Sequence, residues 1–220
     1  MTAPAPDDAA MSQPEISDVD DLRSRYHEAT PAVLHKARPV IDPEAARLIS
    51  LTPLIVIATT SASGADSSPR GGPPGFVVTL DEHTIAFADL AGNNRLDSYA
   101  NLLENPAMGI LFLVPGLEET LRVNGRARLT TDPGVLDRTA VDGRRPKLAV
   151  AIDVEECYVH CGKALRRSGL WDPSTWADHE RLPTAGEVIV DQFSLDMEPA
   201  VIDTDLETNY RETLWDSGGN

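Results

Sequence analysis

Through the middle of the chain apolar residues recur at every second position, and only short stretches repeat near 3.6, which predicts a mainly β protein with peripheral helices. Residues 54–60, from Leu54 through Ile57 to Thr60, form a compact β-branched run that stops at the Ser-, Gly- and Asp-rich residues 61–68. A buried strand and then a loop are expected there. Residues 76–80 and 84–88 flank a polar turn at Asp81, Glu82 and His83, the pattern of a β-hairpin. Residues 108–114 read as a strand that Pro115 and Gly116 break. Residues 120–130 alternate Leu121, Val123, Gly125, Ala127 and Leu129 against polar positions, and residues 148–160 carry the last long alternation. Many antiparallel strands with few helices between them suggest a barrel.

The helical signals lie around this array. Asp42, Pro43 and Glu44 read as an N-cap, a proline at the first helical position and an acid in the first turn of a helix ending near Leu51. Residues 94–104 place Leu96, Tyr99, Ala100 and Leu103 at helical spacing, closed by Asn105 and Pro106. A short helix is expected after Asp132 and Pro133, a basic helical turn over residues 163–168, and helix again over residues 186–215. Residues 1–20, rich in Ala, Pro, Asp and Ser, would lose entropy on ordering for little burial, so they read as a flexible tail before a single domain over residues 21–220.

Composition narrows the partners. The 220 residues are 41% hydrophobic, enough for one substantial core. The net charge of −16, from 19 basic and 35 acidic residues, repels a polyanion, so nucleic acid is not expected as a partner. A local anion site is compatible with that field, because a few Arg side chains and backbone N–H groups concentrate positive potential in one cleft. The first residues lack the basic and apolar regions of a secretory signal, and no apolar run approaches membrane-spanning length, so a cytoplasmic protein with no membrane contact is expected. Cys157 and Cys161 are the only cysteines; two thiols do not complete a four-ligand zinc site, and they read as reduced and part-buried, with no metal.

Three segments carry candidate chemistry. Ser67, Ser68, Pro69, Arg70, Gly71 and Gly72 put a guanidinium among hydroxyls and flexible backbone after a core strand, suited to a phosphate; a surface loop with an incidental Arg explains them as well. Asn93, Asn94, Arg95, Leu96, Asp97 and Ser98 sit where a strand passes into a helix, so the helix N-terminus and Arg95 point to one anion, whereas plain capping by Asn93 or Asn94 leaves Arg95 unexplained. Lys163, Arg166, Arg167 and Trp171 form a basic and aromatic cluster in an acidic protein, able to meet a phosphate and a flat ring, or else to be a solvated helix face beside a core Trp. Glu118 and Glu119 read as solvated acids at a turn. Nucleophile elbow, P-loop and dinucleotide fingerprints are absent.

In that order, with residues 119–127 and the run His160, Cys161, Gly162, Lys163, Ala164, Arg166, Arg167, Ser168, Leu170 and Trp171, these motifs resemble FMN-binding split-barrel flavoproteins related to pyridoxamine 5′-phosphate oxidase. The resemblance implies a six-stranded antiparallel split β-barrel that pairs as a homodimer, with FMN in clefts at the interface. It implies that Arg70, Asn94 and Arg95 meet the phosphate with Asp89 and Ser98 nearby, that Gly71 and Asn93 belong to the same cofactor-binding segments, and that Lys163, Arg166 and Trp171 arrive from the other subunit. The flavin then carries the oxidoreductase chemistry toward a small organic substrate, and no catalytic side chain is named. Residues 210–216 lack the closing Arg- and His-bearing pattern of the true vitamin B6 oxidases. Two alternatives stay open: a deazaflavin-dependent reductase, and a non-catalytic flavin- or haem-binding module.

Overall fold

The structure is a computed structural model and describes residues 15–218. The described residues fall into two units, residues 15–36 and residues 37–218. In the first, α1 (Val19–Ser24) is capped by the Asp18 side chain, which accepts from the Asp21 N–H at 2.8 Å, and Arg25 pairs with Asp21 one turn away. A second helix, α2 (Pro31–Leu34), starts on Pro31, and neither helix buries a residue. A helix as short as α1 rests on its cap and its local pair, because isolated helical turns are marginal in water. Of the tail expected over residues 1–20, residues 1–14 lie outside the described residues, and Val19 and Asp20 belong to α1.

In the second unit, α3 (Pro43–Leu51) begins as its sequence predicts: the Asp42 side chain accepts from the Ala45 N–H, and Ala45 and Ile49 are buried. Seven strands follow: β1 (Leu54–Ser61), β2 (Gly64–Gly71), β3 (Val77–Asp81), β4 (Thr84–Ala88), β5 (Ala107–Leu113), β6 (Thr120–Thr130) and β7 (Ala149–His160). They form one antiparallel sheet in the order β2-β1-β5-β6-β7-β4-β3. The expected six-stranded barrel is therefore corrected to a seven-stranded sheet whose end strands, β2 and β3, do not pair with each other.

The additional strand is β2, where a loop was expected over residues 61–68. It lacks large apolar residues, so no hydrophobic period marks it. It forms because Gly64, at φ +127°, folds the chain back onto β1, and eight residue pairs then follow from Ser61 opposite Gly64 to Leu54 opposite Gly71. Pro69 is tolerated because β2 is an edge strand and Pro lacks only the N–H that an inner strand would need.

The core lies on the inner face of this sheet. Ile55 and Ile57 of β1, Ile110 and Phe112 of β5, Val123 of β6, Ile85 and Phe87 of β4, and Val150 and Ile152 of β7 are at most 1% exposed. Helix α4 (Asp97–Glu104) packs on β1, β2 and β6, with Tyr99 and Leu102 buried, and Asn101 and Asn105 donate to Thr59 and Thr60. Its inward face differs from the spacing expected, since Leu96 and Leu103 are exposed; the helix starts at Asp97, and Leu96 is only its cap.

After β6 come α5 (Pro133–Arg138), capped by Asp132, and, beyond β7, α6 (Lys163–Ser168). The helix expected over residues 186–215 is two helices, α7 (Ala185–Phe193) and α8 (Pro199–Thr213), that pack on each other. The break has two causes: Ser194 caps α7 in the left-handed region, and Pro199 opens α8, where its missing N–H costs nothing. Among the described residues no helix is long and apolar enough to cross a membrane.

Candidate functional site

Strand periodicity positions the first half of the site. Along β2 the half-buried positions alternate as Asp66, Ser68 and Arg70, so three polar side chains share one face of an edge strand. That face borders a cleft of about 370 Å³, closed by the end of β4, residues 89–96 and the first turn of α4. A volume of this order suits a small organic ligand.

Arg70 is the central cation. Its guanidinium donates to the Ser68 Oγ, to the Pro69 carbonyl at 2.8 Å and to the Ser98 Oγ at 3.5 Å, and its Cζ lies 5.7 Å from the Tyr99 ring centroid. Among the described residues it forms no salt bridge. Ser98 in turn donates to Asp66 Oδ2 at 2.7 Å, and the Tyr99 hydroxyl donates to Asp89 Oδ1 at 2.7 Å. Burial, and then the Asp89 carboxylate beside it, push the Tyr99 phenol well above its ordinary range, so it stays a neutral donor.

The loop before α4 is wound in a way that side-chain capping does not explain. Asn94 and Leu96 both adopt left-handed backbone, at φ 56° and 60°, a conformation that costs non-glycine residues energy and persists where surroundings enforce it. Leu96 is the N-cap of α4 and has no acceptor, so α4 starts without a side-chain cap, and its first residues, Asp97 and Ser98, line the cleft. Asn93 accepts instead from the Arg95 N–H at 3.1 Å. An uncapped N-terminus keeps its partial positive charge available to an anion. Arg95 is exposed and paired through its Nε with Asp97 Oδ2 at 2.8 Å.

Of the residues expected at a cofactor, Arg70, Gly71, Asp89, Asn93, Asn94, Arg95 and Ser98 line this one cleft. Lys163, Arg166 and Trp171 do not line it. Arg166 of α6 pairs at the surface with Glu118, an acid that stays part-exposed, and the Trp171 Nε1–H donates to the Leu117 carbonyl at 2.8 Å. Both side chains are pinned to the turn between β5 and β6, while Lys163 is exposed.

Asp66, Tyr99 and Gly218 line the cleft without having been singled out. Asp66 shares the two-residue period of Ser68 and Arg70, a signal visible only once β2 is known to be a strand. Gly218 carries no sequence signal at all. Of the thiols, Cys157 is buried, and burial followed by the charge of Asp42 raises it to about 11, whereas Cys161 is exposed. The part-buried reading therefore fails for Cys161, which lies just beyond the end of β7.

Comparison with known proteins adds a family. A family model described as pyridoxamine 5′-phosphate oxidase matches residues 41–161, just over half of the chain, from α3 to the end of β7. No curated protein matches. Among solved structures, HupZ from Group A Streptococcus is 22% identical at a TM-score of 0.44, covering 54% of this chain and 93% of its own. An FMN-binding protein from Syntrophomonas wolfei subsp. wolfei is 14% identical at a TM-score of 0.40, covering 54% and 85%. A Clostridium acetobutylicum protein related to general stress protein 26, of the pyridoxinephosphate oxidase family, is 12% identical at a TM-score of 0.40, covering 53% and 85%.

Proposed function

This chain belongs to the pyridoxamine 5′-phosphate oxidase-like family, and from that premise we propose that it is an FMN-dependent oxidoreductase acting on a small organic substrate. The observation that carries the reading is Arg70: a guanidinium that has no carboxylate partner among the described residues, held by β2 against the uncapped start of α4 in a cleft of ligand size. A phosphate monoester suits those partners, because charge-assisted bonds from Arg and from a helix N-terminus act on the same anion.

The chain's own residues divide the work. Arg70, Ser68, Gly71 and Ser98 hold the phosphate from the strand side, and Asn93, Asn94 and Arg95 from the loop side, with Arg95 exchanging its pair with Asp97 for the ligand. Tyr99, kept protonated, fixes Asp89 at the edge of the cleft. When bound, FMN supplies the redox chemistry, a hydride accepted or donated at N5 of its ring. Three acids, Asp66, Asp89 and Asp97, line the cleft beside its two arginines. That balance favours FMN over a deazaflavin cofactor, whose tail adds carboxylates to the phosphate.

The same reading makes the working unit a homodimer in which Lys163, Arg166 and Trp171 reach the flavin of the second copy. Support comes from the outer face of the sheet. In register across β1, β5, β6 and β7 lie Val56, Leu111, Arg122 and Tyr158, with Leu54 opposite Leu113 beside them. Leu54 and Leu111 are each 39% exposed, apolar side chains beside the stacked Arg122 and Tyr158 on a face that a second copy would cover.

The test is direct. Purified protein incubated with FMN is expected to turn yellow, to gain thermal stability and to run as a dimer. Ligand at about one hundred times its Kd adds about 2.7 kcal/mol. No uptake and no stabilisation would refute the flavin reading. A bound flavin that neither NADH, NADPH nor dithionite reduces and that oxygen does not reoxidise would make the protein a flavin-binding module instead of an enzyme.

A further inference from the structure

We propose that residues 216–218 form a strap that holds the cleft's rim loop in its ligand-receiving shape, with Gly218 a positioning residue for Arg70; this deepens the FMN reading and rests on it. Beyond α8 the chain turns back to the cleft. The Ala91 N–H donates to the Asp216 carbonyl at 2.9 Å, the Gly218 N–H donates to the Asp89 carbonyl at 3.2 Å, and Leu90 and Ser217 pair between them as an antiparallel bridge. Arg144 fastens the strap by its salt bridge to Asp216 at 3.1 Å.

Two observations give the strap its role. Among the described residues, the bond from Ala91 to Asp216 is the only backbone hydrogen bond that residues 90–95 make to a distant part of the chain. That stretch contains left-handed Asn94 and leads directly into left-handed Leu96, and such conformations need external support. The second observation is the absence of room at position 218. A Cβ on Gly218 would stand 1.8 Å from Asp89 Oδ2 and 2.5 Å from its Cγ. Any side chain there displaces the carboxylate that receives the Tyr99 hydroxyl, and the Tyr99 ring lies beneath the Arg70 guanidinium. Strap, Asp89, Tyr99 and Arg70 are thus a continuous line of contacts from the chain's last described residue to the cleft's central cation.

Two measurements test it. Hydrogen exchange of the flavin-free protein is expected to show the Ala91 amide protected in the wild-type chain and unprotected in Gly218→Val. An Ala91 amide that exchanges like an open loop in the wild type overturns the strap, and this arm stands even if the wild-type chain takes up no FMN, an outcome that sinks the flavin reading alone. In the second arm FMN affinity is measured for Gly218→Ala, Gly218→Val and Asp216→Ala. Because the collision is with the Cβ itself, Ala and Val are expected to weaken FMN alike, by about tenfold, the equivalent of about 1.4 kcal/mol. Asp216→Ala, which keeps the backbone bonds and loses only a partly exposed ion pair, is expected to weaken it by about two- to threefold. Melting temperatures of all three are expected to stay near wild type. Unchanged FMN affinity in both Gly218 variants of a chain that binds FMN overturns the proposal, as does a loss of affinity that only tracks a loss of thermal stability.

Discussion

Strands β1 and β2 lie side by side, paired over the same eight positions, yet one builds the core and the other builds the cleft. β1 places Ile55, Ile57 and Thr59 on its inward face, all at most 1% exposed, and its partner places Asp66, Ser68 and Arg70 on its half-buried one. The difference follows from position in the sheet. β1 has β2 on one side and β5 on the other and is held by apolar burial, whereas β2 is an edge, held by its ladder to β1, and its side chains are free to be chosen for chemistry.

That contrast predicts separable effects, and the largest belongs to β1. Ile57→Ala removes a fully buried side chain and is expected to cost about 2–5 kcal/mol of stability in a denaturant titration, while the fraction that stays folded binds FMN as before. Arg70→Ala on β2 is expected to do the reverse: FMN affinity falls by about 1.5–3 kcal/mol, the value of a charge-assisted contact, and the melting temperature barely moves. If Arg70→Ala unfolds the protein instead, the division between the two strands breaks.

Tyr99→Phe probes the point where the two regions meet. Removing the hydroxyl leaves Asp89 without its donor, at an expected cost of about 1 kcal/mol in stability. It also changes the response to pH. The Tyr99 phenol is raised above its ordinary value of 10.0 in the folded state, so the native chain holds that proton longer than the unfolded one. The contribution is complete below pH 10 and is lost as pH rises from there through the folded value. The wild type is expected to lose stability over that window faster than Tyr99→Phe, as read by thermal melts at a series of alkaline pH values.

The smallest effect is expected at Asp97, whose exposed pair with Arg95 competes with a ligand for the same guanidinium. Asp97→Asn frees Arg95 and is expected to tighten FMN by about 0.2–1 kcal/mol, the range of an exposed ion pair. The titration is best done at low salt, where the pair is least screened. A weaker FMN complex in this variant would mean that Asp97 serves α4 more than it restrains Arg95.

The order of the motifs, the family, six of the strands and the caps of α3 and α5 were legible in the sequence, because each rests on local chemistry: β-branched runs, alternation, Asp before Pro, Arg beside Gly. The residues of the cleft's two main walls were legible too, since Arg70 and residues 93–98 lie in short contiguous segments. Only the tertiary structure revealed β2, whose polar residues become a strand by pairing with β1, and the rotation of α4 that buries Leu102 and exposes Leu103. Only it joined Asp66 to Ser98, Asp89 to Tyr99 and Gly218 to Asp89, contacts between residues as far as 129 positions apart. Local propensity acts within a few residues, whereas these contacts exist because sheet register and the return of the chain after α8 bring distant backbone together, and no period or composition encodes that.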